Sequence, residues 1–242
     1  FEYVYVARPD SVIFGRSVDD VRKKLGANLS KVAPVDADLV MAVPDSSNQA
    51  ALGYALESGI PFDMGFIRNH YVGRTFIEPD QRIRDFGVKI KLNPARSAIQ
   101  GKKIVLIDDS IVRGTTARKI VKMLMRCGAK EVHFRISCPP IINACHYGID
   151  TPNKKNLIAY NMNVEEMRAY LGVTSLAFQT LEGLTEATGL PNACAQAVLA
   201  AQAFHWFDAP AALAEFERIL QPGGWVVLLW NERDESDAFT AA

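Results

Sequence analysis

The sequence predicts an α/β fold: a mainly parallel sheet with helices on both faces, followed by a short βαβ-like tail. Three observations predict it. Short aliphatic runs alternate with helix-patterned segments, the signature of crossover-connected strands. The clearest runs, Leu39–Val43 and Ile104–Ile107, are apolar throughout rather than alternating with polar residues, as strands buried on both faces must be. The two clearest runs each end in a short polar loop that leads into a helix.

The elements follow in order. Ala37–Val43 (ADLVMAV) predicts a buried strand, and Ala50–Ser58 a helix stopped by Gly59. Phe62–Ile67 (FDMGFI) predicts the next strand, KKIVLID ending at Asp108 the third, and Glu131–Ser137 the fourth. In such sheets ligands lie outside the carboxyl ends of the strands. Asp45, Ser46, Asp108 and Asp109 all fall there.

The densest chemistry is in Ile104–Thr116, IVLIDDSIVRGTT. A strand ends in two adjacent carboxylates, Asp108 and Asp109. A loop through Ser110, Arg113 and Gly114 follows, then Thr115 and Thr116 at the start of a helix. Backbone N–H groups at a helix start attract anions. Gly114 allows close backbone approach, and the hydroxyls add donors. Carboxylates repel phosphate but suit ribose hydroxyls or a hard cation such as Mg2+. A ribose 5-phosphate derivative has both features. The bland reading, an ordinary turn with a solvated acidic pair, fits each feature singly but not the ordered string. Val43–Asn48 (VPDSSN) offers a second strand-to-helix junction, where Ser46 and Ser47 present hydroxyls and N–H groups. Alone it reads as an N-cap; beside the first site it reads as a second anion loop. Arg68–Arg84 (RNHYVGRTFIEPDQRIR) is long, basic and without regular pattern, which is uncommon in a connection unless it is functional.

These strings carry a resemblance. IVLIDDSIVRGTT is similar to the phosphoribosyl-pyrophosphate (PRPP) signature of type I phosphoribosyltransferases. FEYVYVARPDS (Phe1–Ser11), MAVPDSSNQAALGYA (Met41–Ala55), YVGRTFIEPDQRIR (Tyr71–Arg84) and HYGIDTP (His146–Pro152) resemble the glutamine PRPP amidotransferases, which open purine biosynthesis. The resemblance runs from Phe1 to about Gly189 and implies a type I phosphoribosyltransferase fold over residues 1–190. It implies displacement at the anomeric carbon of PRPP by ammonia, with no protein nucleophile. Asp108 and Asp109 would hold the ribose hydroxyls, Ser110–Thr116 the 5-phosphate, and Asp45, Ser46 and Ser47 the pyrophosphate. Mg2+ would be the cofactor, with Ser46, Asp108 and Asp109 as its ligands. The segment from Arg68 would form a lid closing over PRPP, with Arg68, Tyr71 and Arg74 facing the departing pyrophosphate. The family usually begins that segment Lys-Asn-Arg-Tyr; here it reads Arg68-Asn69-His70-Tyr71, which keeps one charge and replaces the other with a largely neutral imidazole.

The resemblance sets further expectations. Phe1 begins inside the family pattern, so the glutaminase domain with its cysteine nucleophile is expected to be missing and free ammonia to be the nitrogen source. Some members hold an iron–sulfur cluster on four cysteines. Cys145 matches one ligand position and Cys194 another, but Ala197 stands where the next cysteine belongs, and the fourth ligand would precede Phe1. Cys127 and Cys138 match none, so an incomplete ligand set and no assembled cluster are expected. Nucleotide feedback inhibitors and a homo-oligomer are also implied. The competing reading is a non-catalytic PRPP-binding module.

Composition bounds the rest. The chain has 242 residues, is 49% hydrophobic and has no apolar run long enough for a bilayer. No secretory signal is visible. Four cysteines without a repeating spacing argue against a disulfide scaffold and fit a cytoplasmic protein. A net charge of zero gives no electrostatic reason for nucleic-acid binding.

The charge is uneven, however. From Pro191 onward two basic residues face seven acidic ones, a net of −5 that leaves +5 to the remainder. All three tryptophans lie in this tail, and no lysine follows Lys155. Such a shift predicts a segment of different origin at residues 191–242. It reads strand (AVLAAQAF), helix (AALAEFERIL), PGG stop, strand (WVVLLW), and resembles the second half of a class I S-adenosylmethionine-dependent methyltransferase. The glycine-rich turn and ribose-binding acid that such enzymes need do not precede it, so no methyl transfer is expected.

Overall fold

The computed structural model describes residues 2–13, 15–68, 92–143, 153–188, 195–201 and 209–229. The chain divides into two compact units, residues 1–144 with 152–188, and residues 145–151 with 189–242.

In the larger unit a helical turn, Glu2–Val6, precedes a small antiparallel pair, β1 (Val12–Ile13) and β2 (Arg16–Ser17). Helix α1 (Val18–Val32) starts at Ser17, whose hydroxyl accepts from the Asp20 N–H, with Asp19 and Asp20 in the positive first turn. At its other end Tyr54 and Arg135 both donate to the Ala33 carbonyl, so orphan acceptor and negative helix end meet a hydroxyl and a buried cation.

The remaining elements are β3 (Leu39–Ala42), α2 (Asn48–Ser58), β4 (Phe66–Arg68), β5 (Leu92–Pro94), α3 (Arg96–Ile99), β6 (Lys103–Asp108), α4 (Thr115–Arg126), β7 (Glu131–Ile136), α5 (Ile158–Asn161), α6 (Val164–Leu171), β8 (Ser175–Phe178) and α7 (Leu181–Thr188). The main sheet is wholly parallel, in the order β3-β6-β7-β8. Its two faces carry separate cores. One joins Ile104, Leu106, Phe134 and Ile136 to α4 and to Val21 and Leu25 of α1; the other joins Val40, Val105 and Ile107 to Leu29 and the α2 residues Ala51 and Tyr54. Apolar side chains on both faces of β6 explain its unbroken hydrophobic run.

Helices α1 and α2 touch backbone to backbone. A Cβ on Gly26 would lie 1.8 Å from the Ala50 carbonyl oxygen, and one on Gly53 would lie 1.9 Å from that of Lys23. Only glycine fits at either position.

The expected strand Phe62–Ile67 is corrected. Phe62 makes a single bridge to Val40, and the chain then turns through Asp63–Gly65. Gly65 packs on Met41, and Phe66–Arg68 pairs antiparallel with β5 outside the main sheet. The fourth sheet position is taken instead by Ser175–Phe178, whose short polar-flanked run gave no strand signal.

The smaller unit holds β9 (Ala195–Ala201), α8 (Ala209–Ile219) and β10 (Leu220–Leu229). The strands pair in parallel, with a register shift between Leu220 and Trp225. This is the expected strand–helix–strand order. No described helix is long and apolar enough to cross a membrane.

Candidate phosphoribosyl site

The site is assembled at the carboxyl ends of β3 and β6. These strands pair Ala42 with Ile107, and Val43 N–H donates to the Ile107 carbonyl. The loops after them therefore leave side by side, although 61 residues separate Ser47 from Asp108. The Pro44–Asp45 peptide is cis.

Asp108 and Asp109 stand together at the carboxyl end of β6. Asp109 is 6% exposed, and Asp108 is half-buried. Asp108 Oδ1 accepts from the Asp109 N–H at 2.9 Å and from the Ser47 hydroxyl at 3.2 Å. Ser110 donates to Asp109. Burial pushes the Asp108 carboxyl well above the usual carboxylate range, and the charge of Asp109 adds to the rise. Burial also raises Asp109, against hydroxyl donors at Ser110 and Ser46 and the Arg22 cation. Two carboxylates held together with little water favour a positive charge between them. Cys138, buried nearby, has its thiol pushed far up by burial and then by this negative charge, which disfavours the thiolate.

The loop beyond the acids turns at Gly114, with φ of 75°, into α4. Thr115 and Thr116 are its first residues, exposed, so their hydroxyls and the N–H groups of the first turn face outward. The loop rests on α5 and α6: Ile158 N–H donates to the Val112 carbonyl, Ile158 Cδ1 sits where a Gly114 Cβ would point, and Arg118 lies 4.6 Å over the Tyr170 ring. Sequence reasoning missed this support, because Ile158 and Tyr170 lie in helices with no motif of their own.

A cavity of about 350 Å3 opens beside these loops. Asp45, Ser46, Arg68 and Thr116 line it, together with Val43, Pro44 and three residues not singled out as site candidates from the sequence, Tyr5, Leu92 and Ile120. Arg68 is ion-paired to Asp45. Both are half exposed, so the pair is weak and a stronger anion could displace the carboxylate. Ser47 is placed differently from the other loop residues: it is fully buried, and its hydroxyl is spent on Asp108 rather than turned to the cavity. Arg113 is exposed. Tyr71, Arg74, His70, Cys145 and Cys194 lie outside the described residues.

Among the described residues no group of three or more His, Cys, Asp or Glu side chains is placed to hold a metal ion. A pair of carboxylates and a serine hydroxyl is still a hard-oxygen donor set. Mg2+ is commonly held by one or two carboxylates plus substrate phosphates and water, so the residues present fit it. Cys127 sits half-buried at the C-cap of α4.

The comparisons with known proteins follow this geometry. An amidophosphoribosyltransferase of Glycine max is 57% identical over 189 residues, covering 78% of this chain and 33% of that protein. One from Rhizobium etli is 58% identical over 190 residues, covering 78% and 38%. The solved glutamine PRPP amidotransferase from B. subtilis, complexed with ADP and GMP, matches with a TM-score of 0.72 at 51% identity, covering 78% of this chain and 42% of that one. A methyltransferase-domain family profile matches residues 145–228, starting within the stretch that also resembles the amidotransferases. Through about residue 190 this chain is similar to the amidophosphoribosyltransferases and has a type I phosphoribosyltransferase fold, and it spans a third to two fifths of the length of the curated relatives it matches.

Proposed function

We propose that this chain carries the phosphoribosyl-transfer centre of an amidophosphoribosyltransferase. It binds PRPP with Mg2+, transfers the phosphoribosyl group to ammonia, and releases pyrophosphate and 5-phosphoribosylamine, the opening step of purine biosynthesis. The observation that carries the reading is the side-by-side placement of two anion loops around one acidic pair, joined by the Ser47–Asp108 hydrogen bond. PRPP has the matching pattern: phosphate at one end, hydroxyls in the middle, pyrophosphate at the other.

The residues divide the work accordingly. The first turn of α4, with Ser110, Arg113, Gly114, Thr115 and Thr116, holds the 5-phosphate by N–H and hydroxyl donors. Asp108 and Asp109 accept from the ribose hydroxyls and fix the ring. Asp45 and Ser46 line the cavity on the pyrophosphate side, where Arg68 leaves Asp45 to meet the phosphate oxygens. The family resemblance adds Tyr71 and Arg74 there. Mg2+, held by Asp108, Asp109 and Ser46, would neutralise charge building on the leaving group. The bond from the anomeric carbon to pyrophosphate breaks, the bond to nitrogen forms, and the adduct gives a proton to solvent. Positioning and electrostatics supply the catalysis. Purine nucleotides are proposed as feedback ligands, a reading supported by the ADP and GMP in the B. subtilis complex.

The test is ammonia-dependent release of pyrophosphate from PRPP with Mg2+, in the parent and in Asp108→Asn. Turnover in the parent, with a loss of about 100-fold or more in the variant, is expected. Tight PRPP binding without turnover in the parent would identify a binding module instead.

A further inference from the structure

Arg22 stands apart from every motif in the sequence. It lies in the second turn of α1 and is only 3% exposed. Its Nε donates to the Tyr3 carbonyl at 2.7 Å, and its Nη2 donates to the Ala7 carbonyl at 2.9 Å. One acceptor lies within the Glu2–Val6 turn and the other just after it, and Ala7 N–H closes the turn by donating to the Glu2 carbonyl. A guanidinium fork can reach both carbonyls at once; an ammonium is a single point. Burying a cation costs several kcal/mol unless something compensates. Two carbonyl dipoles and the nearby Asp109 carboxylate offset part of that cost, although burial still lowers the Arg22 pKa.

The turn held this way is part of the site wall. Tyr5, its fourth residue, lines the same cavity as Asp45, Ser46, Arg68 and Thr116. Tyr3 and Val4, the two residues before it, are buried in the core with Val18, Val21 and Leu25 of α1.

We propose that Arg22 is a positioning residue of the phosphoribosyl site: it fastens the Glu2–Val6 turn, and with it the Tyr5 wall of the cavity, against the strand ends that carry the acidic pair. The inference rests on the PRPP reading of that cavity. It assigns a cation that touches no substrate a share in substrate binding. Without Arg22 the Tyr3 and Ala7 carbonyls lose their donor, the turn loosens, and the cavity loses one side while the two anion loops stay in place.

The experiment compares the parent with Arg22→Met, Arg22→Lys and a control, Leu176→Ala, which truncates a core side chain on the edge strand β8. Ammonia-dependent pyrophosphate release gives kcat and KM for PRPP, and hydrogen exchange gives amide protection over residues 2–13. Arg22→Met is expected to raise KM for PRPP about tenfold with a smaller change in kcat, as loss of a supporting partner typically does. Arg22→Lys, keeping the charge and one hydrogen bond, recovers part of that loss. Leu176→Ala lowers the unfolding temperature and leaves KM unchanged. An Arg22→Met enzyme with the parent's KM, or a control that raises KM equally, overturns the proposal. Exchange separates this from failure of the PRPP reading. If the parent neither binds nor turns over PRPP, that reading falls, while faster exchange over residues 2–13 in Arg22→Met still supports the fastening and unchanged exchange overturns it.

Discussion

The four-stranded sheet and the β9–β10 pair are assembled from the same unit, a strand, a helix and a parallel strand, yet their described residues are buried to very different depths. In the larger unit Val40, Ile104, Val105 and Leu106 are fully buried, and two adjacent strand ends deliver donors and acids to one place. In the smaller unit Trp225 is 73% exposed and Val226 38%, on a strand whose register shifts before it reaches the pair. Parallel pairing alone gives a shape. Chemistry requires neighbouring strands whose loops leave on the same side with complementary groups, held by packing on both faces.

The largest effect that would test this contrast is at the α1–α2 contact. Gly53→Ala places a Cβ 1.9 Å from the Lys23 carbonyl oxygen, which backbone must move to relieve. Urea unfolding should show a loss of about 3 kcal/mol. A loss below about 1 kcal/mol would mean that the two helices part easily and that the packing beneath β3 is not what holds the site.

Next is Gly114→Ala. The positive φ costs about 1–2 kcal/mol for any other residue, and the new methyl group meets Ile158. PRPP affinity should fall about tenfold, the equivalent of ~1.4 kcal/mol. Unchanged affinity in calorimetry would remove the α4 loop from the phosphate-binding role.

The smallest effect is expected from ending the chain after Thr188. The unfolding temperature of the remaining unit should move by no more than about 2 °C, less than ~1 kcal/mol of stability in a chain of this size. A larger drop would show that the tail contributes to the first unit's core and would soften the contrast drawn above.

What was legible in the sequence was local. Asp108, Asp109, Gly114, Thr115 and Thr116 form one string on a strand-loop-helix junction, so their neighbourhood in space follows from their neighbourhood in sequence. That β3 and β6 are buried strands could be expected from two apolar runs, but neither their pairing nor the depth of Ser47 could: a serine in a helix-start loop looks the same whether its hydroxyl faces solvent or Asp108. Tyr5, Arg22, Leu92, Ile158 and Tyr170 matter only through contacts across the fold, which no spacing encodes. The strand placed at Phe62–Ile67 was displaced because Asp63 and Gly65 turn the chain, a tertiary outcome that overrode a short apolar pattern.

The Ser47–Asp108 hydrogen bond has a thermodynamic meaning as well as a geometric one. It joins two loops through protein groups alone, with the serine fully buried. Much of the disorder those loops would otherwise carry is therefore removed when the chain folds. A ligand arriving later has less ordering left to impose, so more of its contact energy appears as affinity.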